Sequence, residues 1–396
     1  MKYTTISIIF LAIFNHTSCV IGGEKVIQNI PHDIKEAKNQ FRDLKHPLAY
    51  KIEPPNSSQI SSKNQKNIST KNYTAIIMAD PQAWHLDYGD PNAKINQTLW
   101  LKRNEKIAKA IKSQKADFYI VNGDLTEFGR RETYEDYSKT YKKLGSPVYE
   151  GLGNHDYANN VGHCMIPEEQ NASGDACAIE AIVRQIKEMK KYKDELSHFN
   201  QDVTESTDTS NKSVCSIEGS LGYSWDYGDI HYVQLHNYPI YTVHLKQSDK
   251  VVHIKSALDW LKKDLAAADA RGKITLINFH DANAFFPNSS SHFINPENAH
   301  DLSVFKSIIT SHNVKAIFAG HTHYQSYCRV QDDKVFGNIP VYTAGALFRG
   351  DYYLIKVQGK NVRVQAYNGI TGKPTLIEDL GPIGSDTEFF ENCSNL

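Results

Sequence analysis

An α/β fold of layered sheets and flanking helices is predicted by two features of the chain. From about residue 73 onward, apolar β-branched runs alternate with amphipathic stretches. Five of those runs, 73–79, 118–121, 147–152, 274–279 and 314–319, stop at residues whose side chains bind metals. The stops are Asp80-Pro81-Gln82, Gly123-Asp124, Gly153-Asn154-His155-Asp156, His280-Asp281 and Gly320-His321-Thr322-His323. Strands that end five times over in carboxylate, amide and imidazole donors point to one shared site. Such donors suit two adjacent divalent cations, which polarise a phosphoryl oxygen and lower the pKa of bound water. Hydrolysis of a phosphate ester is the chemistry this predicts.

In chain order, residues 1–19 read as a secretory signal peptide: Lys2, an apolar core over 6–14, then Thr17-Ser18-Cys19 near a cut. That core is too short to span a bilayer. Cleavage after Cys19 is preferred to cleavage before it with lipid attachment, because His16 stands where a lipid site wants an aliphatic residue. A secreted or periplasmic protein is expected. Residues 20–72 read as an N-terminal extension whose last part, 56–72, is a polar linker with too few apolar residues to offset its ordering entropy. The catalytic domain is expected over 73–396. Within it, helices are expected at 99–113, with Ile107, Ala108 and Ile111 on one stripe, and at 131–144 and 254–270. An insertion from 157 to about 219 holds Cys164, Cys177 and a helix over 178–199, followed by a polar stretch, 201–212. Runs 222–227 and 230–235 read as a hairpin around Gly228-Asp229. Strands at 340–344, 352–357 and 362–367 close the domain, and no internal repeat is present.

Composition narrows the partners. The chain has 396 residues, 40% of them hydrophobic, enough for a large core. Its 44 basic and 45 acidic side chains leave a net charge of −1. No global basic field favours nucleic acid or an anionic membrane, and no transmembrane helix is expected in the mature chain. Of six cysteines, five remain once Cys19 is removed. Cys164–Cys177 is the preferred bridge, closing a short loop; zinc binding is the poorer alternative, because no C-x-x-C spacing exists. Asn-x-Ser/Thr triplets at Asn72, Asn96 and Asn288 matter only in a eukaryotic secretory pathway.

The ordered motifs together resemble those of the calcineurin-like metallophosphoesterase superfamily, which includes purple acid phosphatases, sphingomyelinase-like enzymes and phosphodiesterases. The resemblance covers roughly 73–373 and implies a four-layer α-β-β-α sandwich, to which this chain adds its Cys-containing helical insertion. It also implies two divalent metal ions, Mn, Fe or Zn. Asp124 would bridge them; Asp80, Gln82 and His323 would complete the first site, and Asn154, His280 and His321 the second. Gln82 stands where the family commonly has histidine. Its amide oxygen is a weaker donor than imidazole, so it either ligates or orients a bound water. His155 is implied to face the phosphate, with Asp156 orienting it by accepting its other ring proton. In-line attack by a metal-activated hydroxide would follow.

Each residue alone has an ordinary reading: His280 as a packed histidine, Asn154 and Gly123-Asp124 as turn formers. Turn chemistry does not require His-x-His after one strand and Asn-His after another. Trp84, His85, His231, His236, Asn237, Tyr324 and Arg349 are weaker candidates for substrate contact. The expected function is hydrolysis of a small-molecule or lipid phosphoester, with diesters favoured. A phosphomonoesterase, a catalytically decayed binding protein and a toxin-type effector are the alternatives.

Overall fold

The strand β1 (Asn72–Met78) carries apolar side chains on both faces, so it must be covered from both sides. Ala75 and Ile77 enter one buried cluster, and Ile76 and Met78 point the other way, all four fully buried. In the computed structural model the described residues are 72–86, 94–162, 174–208, 214–282, 291–329 and 331–384. Expectations about the signal peptide, the extension, most of the linker and the Cys164–Cys177 bridge lie outside them. The described residues belong to one unit, Ser69–Leu396. Among them no cysteine is a free thiol, and no helix is long and apolar enough to cross a membrane.

Beside β1 run β2 (Phe118–Val121) and β3 (Val148–Glu150), parallel to it. On its other side lies β15 (Asp351–Gln358), followed by β16 (Asn361–Asn368) and β17 (Thr375–Pro382), giving the six-stranded order β17-β16-β15-β1-β2-β3. The facing sheet has seven strands. Its parallel centre is β8 (Ile230–Gln234), β11 (Ile274–Asn278), β12 (Val314–Ala319) and β14 (Val341–Ala344). Antiparallel edges are added by β7 (Tyr223–Tyr227) with β4 (Ser197–Gln201), and by β13 (Gln325–Cys328). Alternate residues of the two sheets meet in one aromatic core: Tyr73, Phe118 and Tyr149 face Tyr223, Trp225 and Tyr232. The rings of Trp225 and Tyr232 stack at 5.2 Å. Burying each such side chain is worth about 1.5–3 kcal/mol, so this seam is a main adhesive between the sheets.

The outer faces take helices. On the six-stranded sheet lie α1 (Lys94–Ser113) and α2 (Arg131–Tyr141); the Trp100 indole donates to the Pro81 carbonyl at 2.8 Å, and Ala110 abuts Gly369. On the seven-stranded sheet lie α4 (Leu258–Ala270) and α5 (Ala299–Ser311), whose Leu261, Leu265, Phe305 and Ile309 pack on Val233, Ile277 and Ile317. The result is the expected four layers. Inside the expected insertion, α3 (Ala176–Glu195) covers the edge strand β3: the Gln185 amide and Tyr223 hydroxyl both donate to the Glu150 carbonyl.

Several boundaries differ from expectation. The helix expected to reach residue 199 stops at Glu195, because residues 197–201 pair with β7 instead. Part of the polar stretch is β5 (Thr204–Asp208), in a small sheet with β6 (Val214–Gly219), β10 (Lys250–Ile254) and β9 (Val243–Gln247). The helix expected from 254 begins at Leu258, since Ile254 pairs with Val243. In each case a strand partner outside the segment supplied the hydrogen bonds, where local propensity assigned a helix or loop. The expected hairpin is present, with Gly228 left-handed at φ 59°.

Candidate metal centre

The parallel strands of both sheets run the same way within each sheet, so their C-terminal ends open onto one rim. β1 leads into Asp80, β2 into Asp124, β3 into Asn154-His155, β11 into His280 and β12 into His321 and His323. Asn122 fastens the sheets together at this rim. Its amide donates to the Phe318 carbonyl at 3.0 Å, Gln234 donates to its side-chain oxygen at 3.2 Å, and its own carbonyl accepts from His280 Nδ1 at 2.8 Å.

The chain turns unusually hard here. Asp80, Gln82, Asp124, His321 and His323 all have positive φ, between 32° and 72°. A non-glycine residue in this region costs of order 1–3 kcal/mol, a strain that clusters at functional sites. Gly153 lets two loops touch: a Cβ there would collide with Asp124 Oδ1 and come within 2.5 Å of the Asp124 backbone nitrogen. Gly153→Ala is therefore expected to displace Asp124 and lower metal content by at least half, as measured by atomic emission on the purified protein.

All seven expected metal ligands lie at this rim; five are buried, and His321 and His323 are partly exposed. Asp80 Oδ2 accepts the His321 backbone N–H at 2.9 Å, and its Oδ1 lies 3.6 Å from His323 Nε2 and 3.9 Å from His280 Nε2. Asp124 Oδ1 accepts the His155 backbone N–H at 2.8 Å, and its Oδ2 lies 3.1 Å from His280 Nε2. Asn154 Oδ1 stands 3.0 Å from both His280 Nε2 and His321 Nδ1. With Nδ1 of His280 committed to the Asn122 carbonyl, Nε2 is the nitrogen left to face the centre.

Three oxygens test whether metal ions fit. Asp80 Oδ1, Gln82 Oε1 and Asp124 Oδ2 are buried and make no hydrogen bond. Buried polar atoms are rarely left so, and here one comes from each of three expected ligands. The electrostatics agree. Burial, with Asp124 alongside, pushes the Asp80 carboxyl up to about 8 despite His280. Burial also opposes ionisation of Asp124, but His280 and His155 outweigh it and hold this carboxyl well below the usual range. Two carboxylates enclosed together call for positive charge, and Asp80, Asp124 and His323 offer donor atoms within 4.8 Å of one another. The donor set fits a cation.

His155 departs from expectation in its partner. Its Nδ1 donates to the Glu127 backbone carbonyl at 3.1 Å and lies 3.5 Å from Glu127 Oε1. Asp156 does not orient it. Both Asp156 oxygens are taken by the N–H groups of Leu125, Thr126 and Gly153 and by the Thr126 hydroxyl, at 2.8–3.1 Å. Asp156 instead ties the loop after β2 to the loop after β3. Burial opposes protonation of His155, but Asp124 and Glu127 outweigh it and raise its pKa to about 10.

Glu127 was not picked out from the sequence. It is 4% exposed. Its Oε2 accepts from Gln82 Nε2 at 3.3 Å and lies 2.9 Å from His85 Nδ1. Its acidic side chain three residues after Asp124 was the available signal. The donation from Gln82 Nε2 leaves Gln82 Oε1 as the amide's free acceptor.

The weaker candidates separate. Tyr324, 60% exposed, and Arg349, whose guanidinium lies 5.3 Å from its ring, stand beside His323 at the rim. Trp84 donates to Asp136 at 2.8 Å. His236 is buried, bound between the Leu152 N–H and the Leu221 carbonyl, and burial pushes it down to about 4. The backbone carbonyl of Asn237 receives the His280 and Asp281 N–H groups. His231 lies in a separate buried network, 2.7 Å from Asp226 and 2.9 Å from Asp264.

The family model described as calcineurin-like phosphoesterase matches residues 76–325. Among solved structures, the chain is similar to a dimetal phosphatase from Danio rerio, at 12% identity over 78% of this chain and 99% of that one, with a TM-score of 0.45. It is similar to a metallophosphoesterase from Sphaerobacter thermophilus at 14% identity, 77% and 89% coverage and a TM-score of 0.29. It is also similar to the phosphopantetheinyl hydrolase from Mycobacterium tuberculosis at 14% identity, 70% and 90% coverage and a TM-score of 0.29. No curated protein sequence matches the chain.

Proposed function

Because this chain belongs to the calcineurin-like phosphoesterase family, we propose that its metal-dependent phosphoester hydrolysis acts on phosphodiesters outside the cytoplasm, with Asp80, Gln82, Asp124 and His323 holding one ion and Asp124, Asn154, His280 and His321 the other. The observation that carries the reading is that one oxygen from each of three expected ligands, Asp80 Oδ1, Gln82 Oε1 and Asp124 Oδ2, is buried without a hydrogen bond, with Asp80, Asp124 and His323 donors within 4.8 Å of one another. Bound divalent ions would polarise the phosphoryl group and acidify water. Carboxylate, amide and imidazole together suit Mn, Fe or Zn.

The chain's own residues supply the rest. With Nδ1–H given to the Glu127 carbonyl, His155 presents Nε2 to the substrate. Asp124 and Glu127 raise its pKa, which favours the protonated form that can donate to the leaving oxygen. Glu127 holds the ring in that orientation and also fixes the Gln82 amide, so one buried carboxylate serves both halves of the site. Partly buried Trp84 and exposed Tyr324 support a substrate with an organic group on each side of phosphorus. The absence of free thiols among the described residues supports an oxidising compartment, as does the signal-like start of the chain.

The test is hydrolysis of bis-(p-nitrophenyl) phosphate beside p-nitrophenyl phosphate, on protein whose metals have been counted. Diester preference with at least two ions per chain is expected, and monoester preference would transfer the reading to a phosphomonoesterase. His155→Ala is expected to lower kcat by about 10²–10⁴-fold with metal content unchanged. The loss should be smaller on p-nitrophenyl esters than on alkyl esters, whose leaving oxygen needs the proton more. Equal losses on both would remove His155 from the acid role.

A further inference from the structure

A second group of donors lies against the pair, and two of its three residues, Asp281 and His292, are absent from the expected ligand set. Asp281, next to His280 and 1% exposed, directs Oδ2 toward His292 Nδ1 at 3.8 Å and His321 Nε2 at 3.9 Å. All three residues offer donor atoms within 4.8 Å of one another. These separations exceed the 2.7–3.2 Å of N–H···O hydrogen bonds, so the three groups stand near one another without short direct bonds. An Asp281 that merely oriented His321 would close to hydrogen-bond distance. The carboxylate is itself anchored: Ser291 Oγ donates to Oδ1 at 3.1 Å and the His292 backbone N–H to Oδ2 at 2.9 Å. His321 turns its other nitrogen, Nδ1, to Asn154 at 3.0 Å, so its two nitrogens face two different places. The His292 side chain is half-exposed, which gives an ion a way in from solvent.

The geometry points to a third divalent-cation site, formed by Asp281, His292 and His321 Nε2, adjoining the proposed pair and sharing His321 with it. Two imidazoles and a carboxylate are a zinc-type donor set. Ligation at about 2.0–2.2 Å needs the three donors to draw in by a few tenths of an ångström. Three protein ligands would leave a coordination position for water or a phosphate oxygen. The proposal rests on the reading of the main site only in sharing His321.

The experiment counts Zn²⁺ bound to the full chain after chelation and reloading, comparing wild type with His292→Ala, a half-exposed substitution outside the proposed pair. One ion fewer in His292→Ala is expected, three falling to two. Equal counts overturn the site, whatever the wild-type number. To separate this outcome from failure of the main site, the comparison is repeated on the Asp124→Asn background. There the pair is weakened, and His292→Ala must still remove one ion; if it removes none, His292 acts only through the pair and the proposal falls. Wild type holding two ions and His292→Ala one, with no diesterase activity in either, would keep this site and sink the reading of the pair.

Discussion

Asp124→Asn is expected to abolish turnover, with kcat falling by about three orders of magnitude or more and bound metal by at least one ion per chain. The substitution preserves shape, and the amide oxygen can still accept the His155 N–H that Asp124 Oδ1 accepts at 2.8 Å. What it removes is the charge at Oδ2, the buried oxygen 3.1 Å from His280 Nε2 that makes no hydrogen bond. A neutral amide there offers a cation less attraction in an enclosed place, where electrostatic interactions are least screened. Metal and phosphoryl activation are worth several kcal/mol, and each 1.36 kcal/mol is a factor of ten in rate. Circular dichroism should show the variant folded. A variant retaining both metals and more than a tenth of the activity would show that Asp124 does not bridge them.

The second large effect is on stability. His231→Leu is expected to cost about 3–5 kcal/mol in urea unfolding, the usual result of removing one member of a buried ion network, while kcat of the folded fraction stays unchanged. His231 is fully buried on β8, with both ring nitrogens bonded to carboxylates from two other elements: Asp226 on β7 and Asp264 on α4. Arg271 adds two bonds to Asp226 at 2.9 and 3.0 Å, and Asn200 and Ser224 donate to Asp264. Burial opposes the charge on His231, yet Asp226 and Asp264 outweigh it and raise its pKa. Its stabilisation is therefore complete below the ordinary histidine value of about 6.5 and is lost as pH rises through the higher folded value. For Asp226, burial is outweighed by His231 and Arg271, which hold it to about 2. That share is present above about 3.9 and is lost as pH falls toward 2. Melting temperatures of wild type and His231→Leu should differ most between roughly pH 4 and 6.5 and converge on either side. A constant gap would mean that the network acts through packing alone.

The two variants probe parts of the chain that differed in how far they could be read beforehand. The metal-binding stops after β1, β2, β3, β11 and β12 were legible because each joins a local strand signal to a local donor. His231 looked like a rim residue and is a strut. Nothing near it in sequence shows that Asp264, thirty-three residues on and across a helix, meets its Nε2. The helix predicted to run to 199 failed for a similar reason, since pairing with β7 decided residues 197–201.

By itself the sequence determined the layered α/β class, the donors and their order, because alternation, strand ends and donor chemistry are properties of a few consecutive residues. Only the tertiary structure decided how those donors are used. Asp156 was adjacent in sequence and chemically able to hold His155, but the loop after β2 folds back and supplies three of its hydrogen bonds, with the Gly153 N–H adding a fourth. Glu127, carried on that same loop, receives the ring instead. The direction of a carboxylate or an imidazole is set by whichever partners packing brings within about 3 Å, and those partners come from segments that no local pattern connects.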